Sequence, residues 1–123
     1  MQREVMTMNV CVKDAKGTSQ WQVPACPCKS WIEHWDYNSG VARPSICPVC
    51  KKQMTDTDVD GGHVKVTHYF NIKQRCWMQC NDEKYYITPI CSSCNSRGGF
   101  TNIQVDSKYL VSAKKENCCR YRG

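Results

Sequence analysis

Cys47-Pro48-Val49-Cys50 and Cys91-Ser92-Ser93-Cys94 are the stretches on which the fold turns. Each is a Cys-x-x-Cys pair, and two intervening residues let both sulfurs reach one ion from a tight turn or a helix start. Structural zinc takes four ligands in a tetrahedron, so the two pairs supply a complete set. Cys47 to Lys52 reads as a zinc knuckle, a tight turn aiming two sulfurs at one point. Cys91 to Arg97 reads as a short helix closed by Gly98-Gly99. A helix start favours the negative charge of a thiolate, which suits the second pair. The competing readings are two pairs on different metals, or two buried thiol pairs.

Outward from the knuckle, Asp58 to Phe70 contains an extended run with Val64, Val66 and Tyr69 on its apolar positions. Asn71 to Glu83 is polar and irregular, and is expected to be a long loop. Lys84-Tyr85-Tyr86-Ile87-Thr88 is the clearest strand signal in the chain, with Pro89 leading into Cys91. Further strands are expected at 100–105 and 109–111. On the other side, Ser30-Trp31-Ile32-Glu33 has the Ser-x-x-Glu form of a capping box. The helix it opens would run through Tyr37, carry Trp31 and Trp35 on one face, and stop at Asn38-Ser39-Gly40. Met6, Met8, Val10 and Val12 alternate, Asp14 to Gly17 offers a turn, and Trp21 and Val23 resume the alternation. This predicts an N-terminal β-hairpin over about 5–23.

The chain has 123 residues, eleven of them cysteine, and no long apolar run. A chain of this size holds one core and needs staples. An odd cysteine count leaves at least one thiol free or metal-bound. Met1 to Met8 carries charges at Arg3 and Glu4 and no apolar core, so no signal peptide is visible, and no stretch approaches a membrane span. These features point to an intracellular, reducing setting, cytoplasmic or nuclear, where paired cysteines hold metal more often than they oxidise. A disulfide framework is the alternative. The net charge is +6, and most of the excess falls after residue 95, at Arg97, Lys108, Lys114, Lys115, Arg120 and Arg122. Such a cluster attracts phosphate backbones, or it is a solvated basic tail.

The order of knuckle, strands and a helix opening with Cys91-Ser92-Ser93-Cys94-Asn95-Ser96-Arg97 resembles the treble-clef zinc finger of the HNH endonuclease-like (ββα-metal) group. Asp60-Gly61-Gly62-His63-Val64 carries the rest of that resemblance, which spans Cys47 to Gly99. It implies His63 as the general base, Asp60 helping to hold Mg2+, Asn95 orienting His63, and Lys65 and Arg97 near the cut backbone. The chain departs from the pattern in having no histidine after Cys94 and no asparagine in the corresponding stretch between the strands, Asp82 to Tyr86. Most of the chain is also similar to a family of small cysteine-rich proteins of no settled activity. That likeness runs through Lys29 to Trp35, Gly62-His63-Val64, Tyr86 to Cys91, and Leu110 to Ala113 with Cys118.

The expected fold is therefore small α+β, with a zinc-centred treble-clef/HNH-like ββα core, an N-terminal β-hairpin and a short Trp-bearing helix. It forms a single domain over 1–123, with a hairpin and helix lobe at 1–46, the zinc core at 47–99 and a basic segment at 100–123. A second zinc site is a weaker expectation, drawn from Cys26, Cys28, His34 and Cys118, with a disulfide or buried thiols as alternatives. Cys76 and Cys80 are expected to be free thiols. Three functions stay open: a non-catalytic zinc module binding nucleic acid through Lys65, Arg97, Lys114, Lys115, Arg120 and Arg122; a structural or protein-interaction component of a larger assembly; and a metal-dependent HNH-type nuclease.

Overall fold

His63 to Phe70 is rich in β-branched and aromatic residues, the kind that fit a pleated, half-buried surface. In the computed structural model, which describes residues 9–15, 30–80 and 84–113, this run lies in the longest strand. Along the chain the elements are β1 (Asn9–Asp14), α1 (Trp31–Ser39), β2 (Asp60–Asn71), β3 (Cys76–Gln79), β4 (Tyr86–Ile90), α2 (Ser92–Arg97), β5 (Ile103–Asp106) and β6 (Val111–Ser112). A 3-10 turn at Ser107–Tyr109 joins β5 to β6. The protein is small α+β, an antiparallel sheet with two helices, more strand than a bare ββα unit.

The sheet runs β5-β1-β2-β4-β6, and β2 is its spine. β1 lies along one edge of β2. The other edge is divided: β4 pairs with Asp60 to Val64, and β3 pairs with His68 to Asn71. All three sequence segments contribute, since β5, β1 and β2 are neighbours.

Period-2 alternation gives the sheet two dressed faces. Val10, Val12, Val64, Ile90 and Val105 bury on one face with Cys47, Met54, Val59, Cys91 and Cys94. The opposite face takes α1, whose Trp35 is fully buried against Ile87 and Val111. A buried tryptophan removes ~150–250 Å² from water and needs a partner for its N–H. Trp35 Nε1 donates to the Tyr109 carbonyl at 2.9 Å. The capping box acts as expected, Ser30 Oγ accepting from the Glu33 amide at 3.2 Å. The helix ends at Gly40, whose φ of 72° is left-handed.

Gly61 sets how closely α1 approaches. A Cβ there would lie 2.6 Å from the Ile32 nitrogen and the Trp31 carbonyl carbon, so the backbone of the first helical turn rests on the strand. Only a residue without a side chain permits that contact.

Several expectations are corrected. β1 shows the alternation of Val10 and Val12, but its two edges pair with β2 and β5, so residues 9–12 are not half of a local hairpin. The expected return strand at Trp21 and Val23 lies outside the described residues. The segment 71–83, expected as a loop, contains β3, folded back on β2 with Trp77 opposite Phe70. Pro89 does not merely end β4 but sits inside it, opposite Gly61. It is tolerated there because β6 pairs only with Tyr86 and Ile87, leaving no ladder for Pro89 to interrupt on that side.

Candidate metal centre

Cys47 to Lys51 forms the knuckle because two backbone bonds fold it back on itself. The Cys47 amide donates to the Lys52 carbonyl at 2.8 Å, and the Lys51 amide to the Cys47 carbonyl at 2.9 Å. Lys51 takes a φ of 66° to complete the turn, and Ile46 and Gln53 bridge across its base. Cys91 is the N-cap of α2 and Cys94 lies within its first turn. Cys91 itself offers the helix no side-chain cap. The cap comes from outside: Asp58 Oδ1 accepts from the Ser92 amide at 3.2 Å. Asp60 holds the same helix with both oxygens, accepting from Ser92 Oγ and from Asn95 Nδ2, each at 3.1 Å.

These supports bring Cys47, Cys50, Cys91 and Cys94 together, with every pair of sulfurs within 4.8 Å. The Cys50 and Cys91 sulfurs are 3.8 Å apart. A tetrahedron of thiolates at ~2.3 Å from zinc has edges of about 3.8 Å, so the donor set fits that ion. A disulfide would need about 2.05 Å, and all four are free thiols. Among the described residues no other group of three metal-binding side chains gathers.

The electrostatics point the same way. Burial pushes the Cys47 thiol up, but hydrogen bonds from the backbone of Cys50, Cys91 and Val49 outweigh it and bring the pKa to about 7 from 9.0. Burial drives Cys94 up to about 12, helped by the neighbouring sulfurs of Cys91, Cys50 and Cys47. Cys91 is also raised, again chiefly by burial. Four crowded, desolvated sulfurs cannot all ionise by themselves, and a divalent cation is what makes four thiolates compatible. Arg97 supplies a further balancing charge, its Nη2 donating to Cys94 Sγ at 3.3 Å.

The remaining candidates fall elsewhere. His63 lies on the α1 side of β2, its ring edge-on to Trp31 with centroids 4.7 Å apart. Burial pushes its pKa down to about 4 from 6.5; Asp14 acts in the opposite sense, and His34 adds to the fall. A general base works best with a pKa near the working pH, and His63 sits well below it. Asp60, expected to hold Mg2+, commits both carboxylate oxygens to α2, and Asn95, expected to orient His63, donates to Asp60. His34 is fully buried, and its Nε2 hydrogen-bonds the Ser112 carbonyl at 2.9 Å. A ring nitrogen facing a carbonyl carries the proton, so this one is not free to ligate. Cys26, Cys28 and Cys118, its expected partners in a second site, lie outside the described residues, as do Lys114, Lys115, Arg120 and Arg122. Lys65 is placed over the Tyr85 ring at 5.3 Å. Asp58 and Asp60 as anchors of α2 had no legible signal, since each depends on chain reversal; the Arg97–Cys94 contact is local, three residues apart on α2, and was simply missed.

Compared with known protein families, with curated proteins and with solved structures, the chain matches none. No helix among the described residues is long and apolar enough to cross a membrane.

Proposed function

We propose that the protein is a non-catalytic zinc module that binds nucleic acid, built as a treble-clef-like unit. The carrying observation is the convergence of four cysteine sulfurs within 4.8 Å from a knuckle and a helix start. Zinc there is structural: all four positions are cysteine, leaving none open for water or substrate. Cys47, Cys50, Cys91 and Cys94 would hold the ion, and its binding fixes the knuckle against α2. The nucleic-acid reading rests on the net charge of +6 and on cations at Lys65 and in the C-terminal segment. The nuclease reading is disfavoured by the burial of His63 and by the commitment of Asp60 to α2.

Elemental mass spectrometry of protein purified under reducing conditions tests the first half. Zinc in stoichiometric amount, lost in Cys47→Ser, is expected; its absence from the native chain would overturn the metal reading. Binding to an oligonucleotide across a salt series tests the second half, with affinity expected to fall steeply as salt rises. Salt-independent binding, or none, would favour a protein-interaction module instead.

A further inference from the structure

Among the described residues, no helix covers the far end of the sheet face that carries α1. Register places Lys13 directly opposite Lys65, and Cys11 opposite His68. Two residues beyond His68, Phe70 faces Trp77 across the β2–β3 hairpin. Lys13, Lys65, His68, Phe70 and Trp77 therefore share one face. Tyr69 turns to the other and packs on the core. The two rings meet edge to face with centroids 5.5 Å apart, and Trp77 stays 41% exposed.

Lys65 has a partner in the Tyr85 ring at 5.3 Å. Like charges directly opposite on neighbouring strands destabilise a sheet, yet Lys13 faces Lys65. From Gly61 to Cys80 the chain has no acidic residue, while Lys65, Lys73 and Arg75 are all cationic. Lys73 and Arg75 project at the hairpin turn, where Asn71 Oδ1 accepts from the Gln74 amide at 3.0 Å and Arg75 takes a φ of 53°. An exposed Trp77 braced by a half-buried Phe70, with cations nearby, matches what unpaired bases need: a π-face for stacking and positive charge along the backbone.

We infer that this face, centred on Phe70 and Trp77 and bordered by Lys13, Lys65, Lys73 and Arg75, binds single-stranded nucleic acid by stacking unpaired bases on the aromatic pair. The inference rests on the nucleic-acid reading above and assigns the contact to the sheet and hairpin rather than to the basic C-terminal segment. Stacking is tolerant of sequence, so the preference is for single strands over duplex and not for a particular base.

Fluorescence anisotropy of the zinc-loaded full chain with dye-labelled oligothymidylate, and with a duplex of matched length, tests this. Trp77→Ala should weaken single-strand binding about 5- to 150-fold, the fold-change for losing one stacked base at ~1–3 kcal/mol. Trp77→Phe should retain most of the affinity, and unchanged circular dichroism would show that both variants fold. Lys73→Gln with Arg75→Gln should lower the slope of log affinity against log salt by about 1.4 for two single-strand phosphate contacts. Binding by the native chain with Trp77→Ala unaltered would overturn the assignment while leaving the nucleic-acid reading intact. No binding by the native chain removes that reading, and the assignment with it. Tighter duplex binding, or self-association of the native chain abolished by Trp77→Ala, would also overturn it.

Discussion

The two sides of the sheet are held by different physics. On the α1 side, Trp35, Ile87 and Val111 interlock, and a hydrogen bond satisfies the indole. On the opposite side, the knuckle and α2 contribute short polar segments, and their anchors are sulfurs and carboxylates. Six residues of α2 are too few to be stable unaided, and isolated helices of that length do not persist in water. The tryptophan side is made by burial; the sulfur side buries the sheet's valines and Ile90 as well, and adds four cysteines placed to ligate a metal. β2 and β4 belong to both, so neither side is independent of the other.

The sharpest way to break the comparison is to remove the ion. Structural zinc is worth ~10–16 kcal/mol in small zinc peptides. Whole domains are stable by only ~5–15 kcal/mol, so chelation or Cys91→Ser should unfold the chain cooperatively. Near-ultraviolet circular dichroism and amide dispersion should collapse together. Survival of the Trp35 signal after metal removal would mean that the tryptophan side folds alone. The next largest effect is expected from Trp35→Ala, at about 3–5 kcal/mol in denaturant midpoint analysis. Zinc stoichiometry should be unchanged in that variant, and a metal loss would show that ligation depends on α1.

Gly61→Ala tests the contact that seats α1. Its Cβ would meet helix backbone at 2.6 Å, so the helix must shift, at a cost of about 1–3 kcal/mol, with the metal retained.

Acidification should single out His63. Its folded pKa of about 4 lies below the ordinary 6.5, so the unfolded chain binds more protons between those values. The neutral ring's contribution is present above pH 6.5 and lost as pH falls towards 4. His63→Leu should therefore lose less stability than the native chain between pH 7 and pH 5, measured by urea midpoints at each pH. The sulfur site is common to both proteins and cancels. Equal losses would mean that the ring is not desolvated.

The metal tetrad was legible because spacing is local: two residues between sulfurs is a geometric demand visible in one stretch. The capping box at Ser30 and the alternation at Val64 and Val66 were legible for the same reason. β1 shows the limit, since its period is readable but its partners, Val64 to Tyr69 and Ile103 to Asp106, are chosen by the whole fold. β3 was missed because its apolar residues Trp77 and Met78 are adjacent rather than alternating, and the turn before it is polar apart from Ile72. The anchoring role of Asp60 was illegible for a related reason. The family resemblance implied a metal-holding role, while its partners Ser92 and Asn95 lie 32 and 35 residues away. Lys114, Lys115, Arg120 and Arg122, with Cys26, Cys28 and Cys118, fall outside the described residues.

Cys47 is fully buried and Cys94 is 2% exposed, with ligands drawn from both ends of the span that contains β2, β3 and β4. A chelator in solution cannot reach Cys47 or Cys94 while the strands stay paired, whereas Cys50 is half-buried and open to it. For zinc held as proposed, full release would need the frame to open around Cys47 and Cys94, so its rate in excess chelator would report opening events as well as the strength of the zinc–sulfur bonds. An ion held there would serve as a clock for fluctuations of the sheet, and variants that loosen β2 from β4 should speed metal loss before they shift any equilibrium midpoint.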